Sequence, residues 1–142
     1  MSADEGEAVP LSRQTKAFYG QIRNMIFSMI RALAYGRFEE AHSLVVASLP
    51  ESKSEIWPAD ALEAKMQEFA MEHGRMRIDV GARAHRNSRF YEDPDDGSLW
   101  VDQTLLDENS HDDWMLRYRV DRDRSDELGQ ASIELTYWGP VV

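Results

Sequence analysis

Cysteine is absent from this 142-residue sequence, which excludes disulfide bonds, thiolate catalysis and cysteine-built zinc sites. There is also no run of 18 apolar residues, so the sequence predicts no membrane-spanning helix and no membrane partner. The first ten residues, MSADEGEAVP, are acidic and lack the apolar stretch of a signal peptide. We therefore expect a cytoplasmic protein.

Catalytic signatures are missing as well. The sequence has no G-x-x-x-x-G-K-[ST] phosphate loop, no G-x-G-x-x-G fingerprint, no H-E-x-x-H motif and no G-x-S-x-G elbow. The acidic stretch 107–113 fails as a calcium loop, because Asp112 and Tyr118 stand where a glycine and a glutamate are needed. No two of the four histidines are spaced as a ligand pair. These absences predict a protein without enzymatic activity, metal or cofactor.

Charges of the two signs are separated along the chain. It carries 26 acidic and 16 basic side chains, for a formal net charge of −10, and thirteen of the acids lie within residues 92–127. A globule this acidic repels phosphates, so bulk attraction of nucleic acid is not expected. A basic stretch precedes the acids, and its candidate anion- or RNA-binding residues are Arg75, Arg77, Arg83, His85, Arg86 and Arg89. We expect most of these arginines to pair with the acids that follow, although His85 and its neighbours could bind a phosphate or carboxylate.

The first half of the chain has helical periodicity. Residues 1–11 read as an acidic flexible tail, and 12–142 as one domain. Ser12 is predicted to cap a first helix whose apolar stripe runs to Leu33. Two further amphipathic helices are predicted, from Phe38 to Leu49 and from Pro58 to His73.

After Gly74 the apolar period changes from about 3.6 to 2, which indicates strands. Strands are predicted near 75–80, 88–92, 99–106, 114–120 and 133–138, with a charged loop at 121–129. Three helices followed by four or five strands predict an α+β fold, with the helices packed on one face of a curved antiparallel sheet. The cystatin-like cone of the nuclear-transport-factor and SnoaL-like proteins is one architecture of this kind, by fold-level analogy.

Two tryptophans are candidates for an interaction surface. Trp100 alternates in step with Asp102 and Thr104, so the three side chains should point to one face of their strand. Trp138 alternates in the same way with Glu134 and Thr136. This alternation predicts that both tryptophans lie on the outer face of the sheet, where they could contact a partner.

Several short stretches together resemble an uncharacterised C-terminal domain of bacterial DEAD/DEAH-box (superfamily II) RNA helicases. They are KAF at 16–18, RN at 23–24, RALA at 31–34, FE at 38–39, WP at 57–58, EHGRMR at 72–77 and WVDQTLLD at 100–107. That domain has no established reaction, and the ATPase motifs belong to the helicase core, which is absent here. The resemblance therefore implies an accessory role without ATP hydrolysis.

Three functional hypotheses follow. The first is a non-catalytic interaction module that docks on a protein, such as an RNA helicase or ribonucleoprotein, or self-associates as a homodimer through the sheet face. The second is a small-ligand-binding or enzymatic protein of the cone type, with a pocket between helices and sheet contacted by Arg77, His85 or Tyr118. The third is weak RNA contact through the arginines.

Overall fold

The computed structural model describes residues 9–142, so most of the predicted tail lies outside the described residues. Leu11, the last residue of the predicted tail, begins a 3-10 turn, Leu11–Arg13, and packs against the core. Within the described residues the fold is α+β, with four α-helices and one four-stranded antiparallel sheet. No helix in this part of the chain has the length and apolar character needed to cross a membrane.

Helix α1 spans Thr15–Ala34 and is the central helix of the core. Its buried residues recur at helical spacing and include Phe18, Ile22, Ile26, Ile30 and Leu33. The predicted start at Ser12 is wrong. The Ser12 backbone N–H and hydroxyl both donate to the Asp126 carboxylate, at 2.8 and 2.7 Å, so this side chain joins two segments instead of capping a helix.

Two more helices complete the predicted helical half. Helix α2 spans Phe38–Val46 and follows Gly36, whose positive φ of 72° allows the tight reversal after α1. Helix α3 spans Ala59–His73 and ends at Gly74, which again has a positive φ.

The predicted strand at 75–80 is wrong. Met76 forms one isolated bridge with Asp107, and the chain then turns. Asp79 causes the turn, because its carboxylate accepts the Ala82 backbone N–H as well as the Arg77 guanidinium. The sheet therefore has four strands.

The sheet is a meander in which each strand pairs with the next one along the chain. Strands β1 (Ser88–Glu92), β2 (Leu99–Leu105) and β3 (Trp114–Val120) follow the predicted positions closely. Helix α4, Arg122–Leu128, replaces the predicted loop at 121–129, since Asp121 caps its first turn and Gly129 ends it in the left-handed conformation. Strand β4, Ile133–Pro140, completes the sheet.

Trp138 lies in the core and not on the outer face, so its prediction as an exposed interface residue is wrong. Tyr118 pairs with Leu135 but Arg117 pairs with Tyr137, which leaves one extra residue in β4 at this point. Such a bulge reverses the parity of every residue beyond it. Trp138 consequently faces the core opposite Leu116 and is 1% exposed.

Candidate anion-binding site

A polar pocket opens where α1 crosses the 3-10 turn His85–Asn87 and the beginning of β1. Its volume is about 170 Å³. The residues that line it are Gly20, Arg23, Asn24, Phe27, Arg83, His85, Ser88 and Gln103. No aspartate or glutamate is among them, although the chain carries a net charge of −10.

Helix α1 supplies one wall through residues that share a helical face. Gly20, Arg23, Asn24 and Phe27 follow the spacing i, i+3, i+4 and i+7. A Cβ at Gly20 would meet no atom within 4 Å, so this glycine leaves open space beside the pocket. This wall of the pocket therefore presents Arg23 and Asn24 at its centre, and it is open one helical turn before them, at Gly20.

Two arginines of the pocket are held by aromatic rings. The Arg23 guanidinium lies 5.2 Å from the centre of the Phe90 ring, and the Arg83 guanidinium lies 4.8 Å from that of Phe27. Among residues 9–142, neither arginine lies within 4.0 Å of a carboxylate oxygen, and the buried Nε of Arg23 has no hydrogen-bond partner. Ring contacts orient these cations without neutralising their charge.

The floor of the pocket is a hydrogen-bonded pair of neutral side chains. The Ser88 hydroxyl donates to Gln103 Oε1 at 2.5 Å, and Gln103 Nε2 donates to the Thr104 carbonyl at 3.2 Å. Gln103 is 3% exposed and occupies a core-facing position of β2 between Val101 and Leu105. A buried amide on an otherwise apolar face is unusual, and here it forms the floor of the pocket.

The structure separates the six predicted anion-binding residues. Arg83 and His85 line the pocket, whereas Arg75 and Arg86 are exposed outside it. Arg89 projects from the opposite face of the sheet, where its guanidinium lies over Tyr91 and 4.0 Å from Asp102. The basic stretch is therefore not one continuous surface.

Arg77 is engaged in an ion pair. Its Nε and Nη2 each donate to one oxygen of Asp79 at 2.8 Å. This bond holds the pKa of Asp79 at about 2, and the pKa of Arg77 is raised in turn. Asp79 lies within the basic stretch, so this is not the predicted pairing with the acids that follow. Arg89, 4.0 Å from Asp102, forms a pair of the predicted kind, while Arg83 lies within 4.0 Å of no carboxylate among residues 9–142.

Tyr118, a predicted ligand contact of the cone-type hypothesis, is buried in the core, where its hydroxyl donates to the Met29 sulfur at 3.2 Å. Burial raises its pKa far above the ordinary value. Of the three ligand contacts predicted under that hypothesis, only His85 lines the polar pocket.

Sequence reasoning missed Arg23 and Gln103. A signal was available for both, because Arg23 interrupts the apolar stripe of α1 and Gln103 takes an apolar position in an alternating strand. It also missed the proximity of His73 and His111, which lie 38 residues apart in the sequence but have ring nitrogens in contact.

Fold and site together define a small α+β domain with an arginine-lined pocket at the edge of its sheet. The chain belongs to the family described as Domain of unknown function (DUF3516), whose profile matches residues 1–137. Comparison with curated proteins and with solved structures found no match.

Proposed function

We propose that this chain is a non-catalytic binding module that recognises a terminal phosphate, or a similar small anion, in the pocket between α1 and β1. The observation that carries the proposal is a pair of arginines, Arg23 and Arg83, without a carboxylate partner among residues 9–142. Guanidinium groups form strong, charge-assisted hydrogen bonds with phosphate oxygens.

The size of the pocket favours a single anionic group over a large cofactor. Sites for drug-sized ligands commonly occupy about 300–1,000 Å³, whereas this pocket measures about 170 Å³. The net charge of −10 opposes contact with a long polyanion, so a terminal phosphate fits better than a continuous nucleic-acid backbone.

The hydrogen bonds of the pocket support binding rather than catalysis. The Ser88 hydroxyl donates to Gln103 and not to a ring nitrogen of His85, so it lacks the base that would make it a nucleophile. The Ser88 bond instead fixes the orientation of the Gln103 amide, whose second N–H could donate to a bound anion.

The resemblance to the helicase-associated domain supports an accessory role beside an RNA helicase or another ribonucleoprotein. In that setting the pocket would take the terminal phosphate of an RNA strand. Of the arginines predicted to contact RNA, Arg83 alone lines the pocket, where Arg23 and His85 lie beside it.

Calorimetric titration tests the proposal with inorganic phosphate and with a short oligoribonucleotide carrying either a 5′-phosphate or a 5′-hydroxyl. Losing a hydrogen bond to a charged group costs about 1.5–3 kcal/mol. We therefore expect Arg83→Ala to weaken phosphate binding tenfold or more and to abolish the preference for the 5′-phosphate.

The matched control is Arg86→Ala, which removes an exposed arginine three residues away that does not line the pocket. It should bind as the wild type does. Absence of binding by the wild type, or equal losses in the two variants, would contradict the proposal.

A second candidate is docking of a protein partner, or of a second copy, on the outer face of the sheet. Trp100 favours it, since it lies half-buried on the face opposite the core with its Nε1 donating to the Ser98 hydroxyl at 2.8 Å. Light scattering after size-exclusion chromatography tests self-association, and a dimer that Trp100→Ala converts to a monomer is the expected result.

A further inference from the structure

His73 and His111 place their ring nitrogens together beside a buried carboxylate. His73 is the last residue of α3, and His111 lies in the connection between β2 and β3. Their Nδ1 atoms are 2.7 Å apart. Asp107 lies next to both, with Oδ2 3.9 Å from His73 Nδ1 and Oδ1 4.0 Å from His111 Nδ1.

His73 is held rigidly with one ring nitrogen turned toward this cluster. It is 4% exposed, and its ring packs against the rings of Phe69 and Trp114, at centroid distances of 5.1 and 5.7 Å. Packing of this kind holds the imidazole ring in one orientation before a metal ion binds.

The other ring nitrogen of His73 faces carboxylates. Its Nε2 is buried without a hydrogen-bond partner among the described residues, and it lies 3.3 Å from Asp113 Oδ1 and 3.5 Å from Glu72 Oε2. Histidines that bind metals commonly direct their second ring N–H at a carboxylate, which fixes the tautomer and makes the coordinating nitrogen more basic. Two carboxylates thus lie close to His73 Nε2, but neither forms the hydrogen bond of that arrangement.

Asp107 can act as a ligand while keeping its structural bonds. Its carboxylate accepts the backbone N–H groups of Asn109 and His111 on Oδ1 and that of Asp112 on Oδ2. An ionised carboxylate has about four acceptor positions. One position on Oδ2, the oxygen near His73, is therefore available to a cation.

We propose that His73, His111 and Asp107 bind one divalent transition-metal ion of the zinc type. Two imidazole nitrogens and a carboxylate suit such an ion, whereas calcium and magnesium favour oxygen ligands alone. Bonds of about 2.0–2.1 Å place tetrahedral ligand atoms about 3.3 Å apart, so the separation of 3.9 Å between His73 Nδ1 and Asp107 Oδ2 must close by roughly 0.6 Å on binding. His111 Nδ1 lies 4.0 Å from the other carboxylate oxygen, Oδ1.

Binding requires the two imidazole nitrogens to separate from 2.7 Å to about 3.3 Å, the spacing of tetrahedral ligands with bonds of that length. The His111 side chain is half-exposed and can make this adjustment, while His73 stays fixed. The ion would replace the proton that the two rings share, and would tie the end of α3 to the β2–β3 connection. This departs from the sequence-based expectation of no metal, which depended on spacing along the chain.

Titration of the tag-free, metal-free chain with Zn²⁺ and Co²⁺ in a phosphate-free buffer tests the proposal. We expect one equivalent to bind, visible absorption from ligand-bound Co²⁺, and a melting temperature that rises with Zn²⁺ concentration by mass action. His111→Ala should keep the fold, because this side chain is half-exposed, and should weaken binding at least about tenfold.

His85→Ala is the control, since it removes another exposed histidine that is not one of the grouped residues, and it should leave metal binding unchanged. No saturable binding by the wild type would overturn the proposal, as would equal affinity in His111→Ala or an equal loss in His85→Ala. Metal binding and phosphate binding are measured on different residues, so either proposal can fail without the other.

Discussion

At position 79 a single carboxylate determines how the chain continues after α3. Alternating residues at 75–80 match a strand, and only the side-chain bonds of Asp79 to Arg77 and to the Ala82 backbone redirect it. Gly81 permits this packing, because a Cβ there would come within 2.7 Å of the Arg77 guanidinium. Periodicity reports which side chains are apolar and does not detect a bond that a polar residue makes to a nearby backbone group.

The Arg77–Asp79 pair predicts a specific dependence of stability on pH. The pKa of Asp79 is lowered from 3.8 to about 2, so the folded state favours the ionised carboxylate. Its contribution is complete above the ordinary pKa and is lost as the pH falls through the lowered one. Chemical unfolding should show Asp79→Asn to be less stable than the wild type at about pH 6, with the difference closing toward about pH 2. If the difference in stability between the two proteins stays constant with pH, packing and not the ionisation of Asp79 causes it.

Replacement by alanine should have opposite effects on stability at two glycines. Gly20 lies within α1 and Gly97 in the β1–β2 turn with a φ of 71°, and an added Cβ meets no atom within 4 Å at either position. Gly20→Ala should raise the free energy of unfolding by about 0.5–1 kcal/mol, because alanine favours the helix. Gly97→Ala should lower it by about 1–2 kcal/mol, because a positive φ strains any residue with a Cβ. Thermal unfolding of the two variants checks the signs, and a gain at both positions would show that φ does not govern the effect.

At the scale of elements, the sequence was informative where a pattern is long and unbroken. The apolar stripe of α1 and the alternation of β2 and β3 predicted those elements to within a few residues. Helix α4 was missed, since seven mostly charged residues carry no apolar stripe, although Asp121 and Gly129 mark its ends. The bulge in β4 was missed because one extra residue leaves the composition of a strand unchanged.

The bulge can be tested with Trp100 and Trp138, which the sequence predicts on the same face of the sheet. Trp138 is buried opposite Leu116, whereas Trp100 is half-buried on the outer face. Trp138→Ala should lower the free energy of unfolding by about 3–5 kcal/mol, as truncation of a large core residue does. Trp100→Ala should cost about 1 kcal/mol or less, because its site can be rehydrated. Denaturant unfolding measures both, and comparable losses would place the two side chains in similar surroundings.

At the scale of the whole molecule, the sequence indicated the α+β class but not the pocket. The order of helical and alternating segments determines which layers form, and that order was visible. The pocket joins Arg23 of α1, Arg83 of a turn and Gln103 of β2, which only the packing of α1 across the sheet brings together. The histidine cluster is of the same kind, since α3 and the β2–β3 connection meet through the fold alone.

The uneven charge of the molecule predicts its response to salt. Of the thirteen acids in 92–127, only Glu92 and Asp102 lie within 4.0 Å of an arginine side chain among residues 9–142, so repulsion outweighs pairing there. Screening lengths fall from about 30 Å at 0.01 M salt to about 10 Å at 0.1 M. Raising sodium chloride across this range should therefore relieve self-repulsion and stabilise the fold by roughly 1 kcal/mol, which is a rise of a few degrees in melting temperature. A melting temperature that falls with salt would instead mean that the attraction within ion pairs such as Arg117–Asp102 exceeds the repulsion among the unpaired acids.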